Sequence, residues 1–332
     1  MTGNLPLPDR ILEIANGYWA TALLGVATQH SLFTHLQAGV DTAEQLAAKT
    51  GMSERGVQTL LDGVVGLGLV KTSDGRYRNT PEADLYLVEG QPTDLGGFAQ
   101  LKLAEMDKLV GRLDVFSAGG PLTDPMVEVA DNPHWAKVAP AIAASSVKVA
   151  EAAVDLLGLK GSGEISILDV GGGSGIFSST WLEASPAARS TQLDWGPINA
   201  IARRLLEERS VADRFTCIDG DFHTVGLTDA AYDIALYSHV AHQEGPEENV
   251  AVFAKLRAAL KPGGTLVVCD YVVEDDRSGP PFPLMFASEM LLKSQRGGTW
   301  RRADYRTWLT EAGFTDVSFH PTPSPATLIT AK

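Results

Sequence analysis

The chain has 332 residues, which at ~100 to 200 residues per domain predicts two domains rather than one small module. An apolar fraction of 44% and a charged fraction of 20% supply a sizeable core and exclude wholesale disorder. With 27 basic against 41 acidic residues, the net charge of −14 repels phosphate backbones and anionic membranes unless a basic patch overrides it, and none is visible.

From Asp9 to Leu36, apolar residues including Ile11, Leu12, Ile14, Trp19, Leu23 and Leu36 recur at threes and fours, predicting two helices apolar on more than one side. Such helices need a covering surface, and a second copy of the chain is the expected one. Asp9 and Glu13 stand where a signal peptide would be apolar, and no run of ~18 apolar residues occurs, so neither export by that route nor a membrane span is expected. Next come the capping pattern Asp41-Thr-Ala-Glu44, a helix to about Thr50, a helix from Ser53 to about Leu69, and the turn Ser73-Asp74-Gly75 between short extended pieces. That order is a winged helix-turn-helix. Between Asp41 and Arg78, five basic residues face five acidic ones, which withholds the electrostatic attraction DNA binding needs. A dimerising role is expected instead.

Residues 95 to 157 read as mainly helical, broken at Gly119-Gly120-Pro121, with His134 and Trp135 following a cap-like Asp131-Asn132. After the linker Gly158 to Gly163, apolar β-branched runs alternate with helical patterns: Ile165 to Val170, Thr191 to Asp194, Arg214 to Ile218, Ile234 to Tyr237 and Thr265 to Cys269. This predicts an α/β fold with a mostly parallel sheet. Cys217 and Cys269 are too few for a disulfide framework and lack metal-ligand spacing, which favours a reducing, cytoplasmic setting. The expected division is a winged-helix dimerisation domain at 1–95, a helical connector contributing to a substrate pocket at 96–160, and a catalytic domain at 161–332.

The sequence Ile167-Leu-Asp-Val-Gly-Gly-Gly-Ser-Gly175 ends a strand in a glycine turn before a helix, where a ligand can approach backbone amides. Asp169 precedes the glycines, Asp194 ends the next strand where a carboxylate can accept ribose hydroxyls, and Asp221 in Gly220-Asp221-Phe222 is placed to meet an adenine amino group. With Leu260-Lys-Pro-Gly-Gly264 and Glu311-Ala-Gly-Phe314, these motifs resemble the class I S-adenosylmethionine-dependent small-molecule O-methyltransferases that carry an N-terminal winged-helix dimerisation domain. The resemblance covers nearly the whole chain. It implies a Rossmann-like catalytic domain in which Asp169, Gly171, Gly173, Asp194, Asp221, Phe222 and Ser238 surround the cofactor, and a homodimer with Tyr18 or Trp19 reaching toward the partner's pocket.

The same family has a catalytic histidine in a Leu-His-Asp-Trp segment; here the segment is Tyr237-Ser-His-Val-Ala-His242-Gln-Glu-Gly-Pro246, which puts His242 in that place without the Asp-Trp. A histidine suits the role because its unperturbed pKa of ~6.5 lets it take a phenolic proton near neutrality. Asp270 follows 270 − 242 = 28 residues later, at the spacing of the family's first flanking acid, and Trp300 stands where the second acid would be. The resemblance further implies a lid helix over the substrate, bringing Met285, Phe286, Glu289 and Met290 to a pocket with Trp135 and Trp300. The expected activity is methyl transfer to a hydroxyl of a small aromatic acceptor. Two alternatives are a winged-helix regulator, and a metal held by His239, His242 and Asp270 with Asp221 or His223, serving C-methylation of an α-keto acid.

Overall fold

The structure, a computed structural model, describes residues 9–110, 114–122, 125–127, 129 and 132–332. They form two compact units divided at Val110.

In the N-terminal unit, α1 (Asp9–Ala15), α2 (Tyr18–Gln29) and α3 (Leu32–Gln37) lead into the pair α4 (Ala43–Thr50) and α5 (Glu54–Gly66). The hairpin β1 (Val70–Ser73) and β2 (Arg76–Asn79) follows, then α6 (Pro81–Tyr86) and α7 (Gly96–Val110). The hydroxyls of Thr42, Ser53 and Thr80 accept the N–H groups of Gln45, Gly56 and Ala83, donors that a first helical turn leaves unpaired. The α4 cap falls one residue later than the Asp41–Glu44 pattern suggests, because the Gln45 side chain, not Glu44, reaches back to accept the Asp41 N–H. The hairpin turns through Asp74 and Gly75, both in the left-handed region that suits a two-residue connection. Leu32, Phe33, Leu46, Leu61 and Val64 are buried at its core. The two apolar stretches read from the sequence are thus three helices, and their leading part stays uncovered: Ile11 is 71% exposed, Ile14 64% and Trp19 55%.

The second unit opens with α8 (Asp114–Ala118) and the long α9 (His134–Leu157). Asp131 of the expected cap lies outside the described residues; Asn132 Oδ1 accepts the His134 N–H. Five parallel strands follow, β3 (Ser166–Val170), β4 (Arg189–Asp194), β5 (Phe215–Asp219), β6 (Tyr232–Ser238) and β7 (Leu260–Asp270). They alternate with α10 (Ile176–Ala184), α11 (Gly196–Glu208) and α12 (Pro246–Ala259). After α13 (Pro281–Lys293) and α14 (Arg302–Glu311), the short β8 (Ser318–Pro321) and β9 (Thr327–Ala331) complete a sheet of order β5-β4-β3-β6-β7-β9-β8, with β9 antiparallel to both neighbours. Strand order reverses between β3 and β6, so the loops leaving those two strands open a crevice at the carboxyl edge. No described helix is long and apolar enough to cross a membrane.

Alternation along the strands feeds two cores. Leu168 and Val170 join Tyr237, Phe253, Tyr305 and Trp308 in one layer, while Ile167 joins Phe177, Trp181 and Val149 in the other. Trp181 is fully buried, meets Phe177 edge to face and donates its indole N–H to the Ala150 carbonyl at 3.1 Å, fixing α10 on α9. Trp181→Ala is expected to cost about 3 to 5 kcal/mol of unfolding free energy and Trp181→Phe clearly less, read from urea denaturation; equal, small losses would show that the site is not packed as described.

Candidate active site

The turn from β3 to α10 is held by glycines that no other residue replaces without strain: Gly171 has φ of 66°, and a Cβ there would lie 2.6 Å from Val240 in the loop after β6. Asp169 sits beneath this turn rather than in the crevice. It is fully buried, accepts the Ser178 hydroxyl at 2.7 Å, and its Oδ1 has no partner among the described residues. Burial drives its carboxyl up to about 7, opposed by the Ser178 bond and reinforced by the charge of Asp194. Asp194, at the end of β4, accepts the N–H groups of Gly173 (2.9 Å) and Trp195 (2.7 Å); burial still pushes it up to about 6 against those two bonds. Asn199, which the sequence reading passed over, is fully buried and donates to the carbonyls of Asp194 and Ile218 and to the Asp219 carboxylate, tying the ends of β4 and β5 together.

Asp221 accepts the His223 N–H at 2.8 Å, and Phe222 lies between His223 and the edge of Tyr237. With Gly171, Gly173, Asp194, Ser238 and Trp135, these residues line a cavity of about 410 Å³, in the size range of small-molecule sites. Its rim also holds Glu244, Glu248 and Arg296, none singled out in the sequence. Glu244 meets His223 Nε2 at 3.2 Å and raises the imidazole's affinity for a proton, while Glu248 pairs with Arg296.

His242 lies on a 3-10 turn, Ala241–Gln243, just after β6. Its Nδ1 is 2.6 Å from Asp270 Oδ1, and its backbone N–H donates to Asp270 Oδ2 at 2.9 Å. The Tyr271 N–H adds a third bond to this fully buried carboxylate. Burial alone would raise the Asp270 carboxyl, but the charge of His242 and its hydrogen bond outweigh that and hold it below the usual range. The turn is pinned from behind: Trp300 Nε1 and Asn249 Nδ2 donate to the Ala241 carbonyl, and the Gly298 N–H to that of His242. Trp300, edge-on to Trp308, therefore braces the back of the turn and is not among the residues lining the cavity.

Around the His242 ring, Phe286 approaches edge-on at 5.0 Å and Tyr271 stacks at 5.7 Å, while Phe282 stacks on Phe286. Tyr271, which was not among the expected pocket residues, joins this ring cluster. Of the other lid residues, Met290 is buried, Glu289 pairs with Lys293 at 3.2 Å, and Met285 is 66% exposed. His239 is held at φ of 57°, and burial lowers its pKa to about 4, so near neutrality it is an uncharged imidazole. The ligand atoms of His239, His242 and Asp270 lie within 4.8 Å of one another; Asp221 and His223 do not join them among the described residues.

The family profile described as an O-methyltransferase domain matches residues 127–315, more than half the chain, and one described as an O-methyltransferase dimerisation domain matches residues 12–89. The chain belongs to the S-adenosylmethionine-dependent O-methyltransferase family. It is 30% identical to the 3-hydroxy-5-methyl-1-naphthoate 3-O-methyltransferase of Streptomyces sahachiroi, over 93% of this chain and 90% of that one. It is 28% identical to the tetracenomycin polyketide synthesis 8-O-methyl transferase of Streptomyces glaucescens, over 97% and 95%. Its fold superposes on human N-acetylserotonin methyltransferase in complex with S-adenosylmethionine with a TM-score of 0.87, at 22% identity and over 100% and 99% of the two chains. These findings favour O-methyl transfer over a winged-helix regulator or metal-assisted C-methylation.

The crevice of this O-methyltransferase fits its cofactor. Gly171, Gly172 and Gly173 line the cavity with bare backbone, and the Asp194 carboxylate offers two acceptors at the cavity wall for a ribose diol. Asp194→Ala is expected to remove ~1.5 to 3 kcal/mol for each charged hydrogen bond to the cofactor before water compensates; calorimetry finding unchanged affinity would take Asp194 out of the site.

Proposed function

We propose that the protein methylates a hydroxyl of a small aromatic compound, with His242 as general base and Asp270 as its orienting partner. The observation that carries this is the pair of hydrogen bonds from one residue to one buried carboxylate, ring and backbone of His242 on the two oxygens of Asp270. That contact keeps the proton on Nδ1 and leaves Nε2 as the acceptor. The glycine turn would hold the cofactor, with Asp194 on its ribose and Asp221 and Phe222 beside its adenine. S-adenosylmethionine, when bound, supplies an electrophilic methyl group and departs as a neutral thioether.

The chain's own residues handle the proton. Nε2 of His242 accepts it from the acceptor hydroxyl as the oxygen forms its new bond to carbon, and the Asp270 carboxylate stabilises the resulting imidazolium. The proton then passes to water. Trp300, Asn249 and Gly298 hold the base in place through the backbone of its turn. The ring cluster of Tyr271, Phe282 and Phe286 beside His242 supports a flat, aromatic acceptor, as do the naphthoate and polyketide named for the relatives.

His242→Ala should lower turnover by about 10² to 10⁴-fold with cofactor affinity nearly unchanged, and Asp270→Asn should cost less because the imidazole remains. The pH profile of the alanine variant's rate should differ from that of the wild type. A variant with the wild-type rate and profile would leave positioning alone as the source of catalysis.

The dimerisation domain serves a homodimer in this reading, built on the exposed face of α1 and α2, where Leu12 and Tyr18 are each 54% exposed beside Ile11, Ile14 and Trp19. Sedimentation at micromolar concentration should show a dimer, and Trp19→Asp should shift it toward monomer; a wild-type monomer would rule the assembly out.

A further inference from the structure

The buried carboxylate of Asp270 has acceptor capacity that its three donors leave unused. Its Oδ1 takes two hydrogen bonds, from His242 Nδ1 and the Tyr271 N–H, while its Oδ2 takes one, from the His242 N–H. A carboxylate offers about four lone-pair sites, so Oδ2 can accept one more donor.

The sheet decides which groups can reach it. Along β7, Val267 and Cys269 enter the core layer that holds Phe177 and Trp181, while Leu266 and Val268 enter the opposite layer. By the same alternation Asp270 projects on the face of Leu266 and Val268, which α12 and α14 cover with Phe253, Tyr305 and Trp308. Two phenols share that face, Tyr237 of β6 and Tyr305 of α14. Both have no solvent exposure, and neither hydroxyl makes a well-formed hydrogen bond among the described residues.

Of the two, Tyr305 is the one aimed at the carboxylate. The start of α14 is tied to the segment just past Asp270: the Val273 N–H donates to the Trp300 carbonyl at 3.0 Å and the Val273 carbonyl accepts the Arg302 N–H at 3.2 Å, with Tyr305 one turn into the helix. Trp308 meets Tyr305 and Trp300 edge to face, at 5.6 and 5.3 Å, so the phenol is packed in the same aromatic group that pins the His242 turn. Burial, then the charge of Asp270 and hydrogen bonding to it, hold the Tyr305 phenol well above the ordinary tyrosine range, as an uncharged donor. Tyr237 is raised by burial and by the charges of Glu244 and Asp270, without hydrogen bonding to either.

We propose that Tyr305 is a positioning residue, its hydroxyl donating to Asp270 as a fourth donor and holding the carboxylate from the α14 side while His242 and Tyr271 hold it from the other. The proposal rests on the roles given above to His242 and Asp270. A buried hydroxyl without an acceptor is costly, and a charged carboxylate is the acceptor that repays it best. The phenol shares the charge of Asp270, so the strength of the contact between Nδ1–H and the carboxylate depends on a side chain that touches neither cofactor nor acceptor.

Proton magnetic resonance of the full chain tests this without an acceptor. An imidazole proton held on a buried carboxylate resonates far downfield, and His242→Ala identifies it by removing it. Tyr305→Phe, which deletes only the hydroxyl, should shift that resonance, while Tyr237→Phe should leave it in place. Urea denaturation gives a second reading: loss of a hydroxyl bonded to a carboxylate lowers the midpoint, whereas loss of an unpartnered one leaves it level or raises it, so Tyr305→Phe should fall below wild type and Tyr237→Phe should not. A resonance unmoved by Tyr305→Phe, or moved as far by Tyr237→Phe, overturns the proposal. If the variant does not fold, a crystal structure of the wild-type protein decides, since a Tyr305 hydroxyl beyond hydrogen-bond distance of both Asp270 oxygens overturns it equally. A wild-type protein with no downfield resonance overturns the pairing of His242 with Asp270, and the proposal with it.

Discussion

A carboxylate with no solvent exposure at the end of β7 is tolerable only because three donors converge on it, and the geometry of the turn that carries His242 follows from that requirement. The His242 ring and the His242 and Tyr271 backbone amides satisfy Asp270, so the turn after β6 must bend back onto the end of β7. The carbonyls of Ala241, His242 and Gln243 in that bend are satisfied by Trp300, Asn249, Gly298 and Ser294, which donate to them. A one-residue shift in the turn would break the whole set. His242 is positioned by backbone as much as by side chain, which is the preorganisation that the proposed role of proton acceptor needs.

The cofactor half works by the opposite principle. There the sheet order exposes the ends of β3, β4 and β5 together, the glycine turn removes side chains, and Asn199 locks two strand ends at a fixed separation. The carboxylates are held by amides and a hydroxyl, which orient them without neutralising them. Hydrogen bonds from uncharged donors satisfy geometry but leave charge available, so the ligand completes the electrostatics.

Much of this was legible in the chain because it is local. The glycine turn, the alternating strands β3 to β7, the Asp-Gly hairpin and the capped helices α4 and α5 each follow from a few adjacent residues. What escaped notice depends on contacts between distant segments. Trp300 occupies the place of an acid in the family pattern, and sequence alone suggested a pocket wall; only the folded chain shows its indole spanning 59 positions to the Ala241 carbonyl. Asn199 and Asn249 look like ordinary first-turn helix residues, yet both are fully buried hubs of three or more bonds. The strands β8 and β9 were missed because they are four and five residues long and the intervening segment is rich in proline and serine, which reads as a loop.

The division of labour between the two halves also explains why the neutral His239 sits between them. It lines the cavity on the cofactor side, while its ring contacts Tyr271, which stacks on His242. A second cationic imidazole there would repel both the sulfonium of a bound cofactor and the imidazolium that the proposed mechanism places on His242. Burial prevents this by holding His239 unprotonated even beside the attracting charge of Asp270. The left-handed backbone at His239 is the cost of bringing β6 out of the sheet sharply enough for His242 to reach Asp270. The residue that absorbs that strain is thus also one that burial keeps uncharged between the two groups of residues.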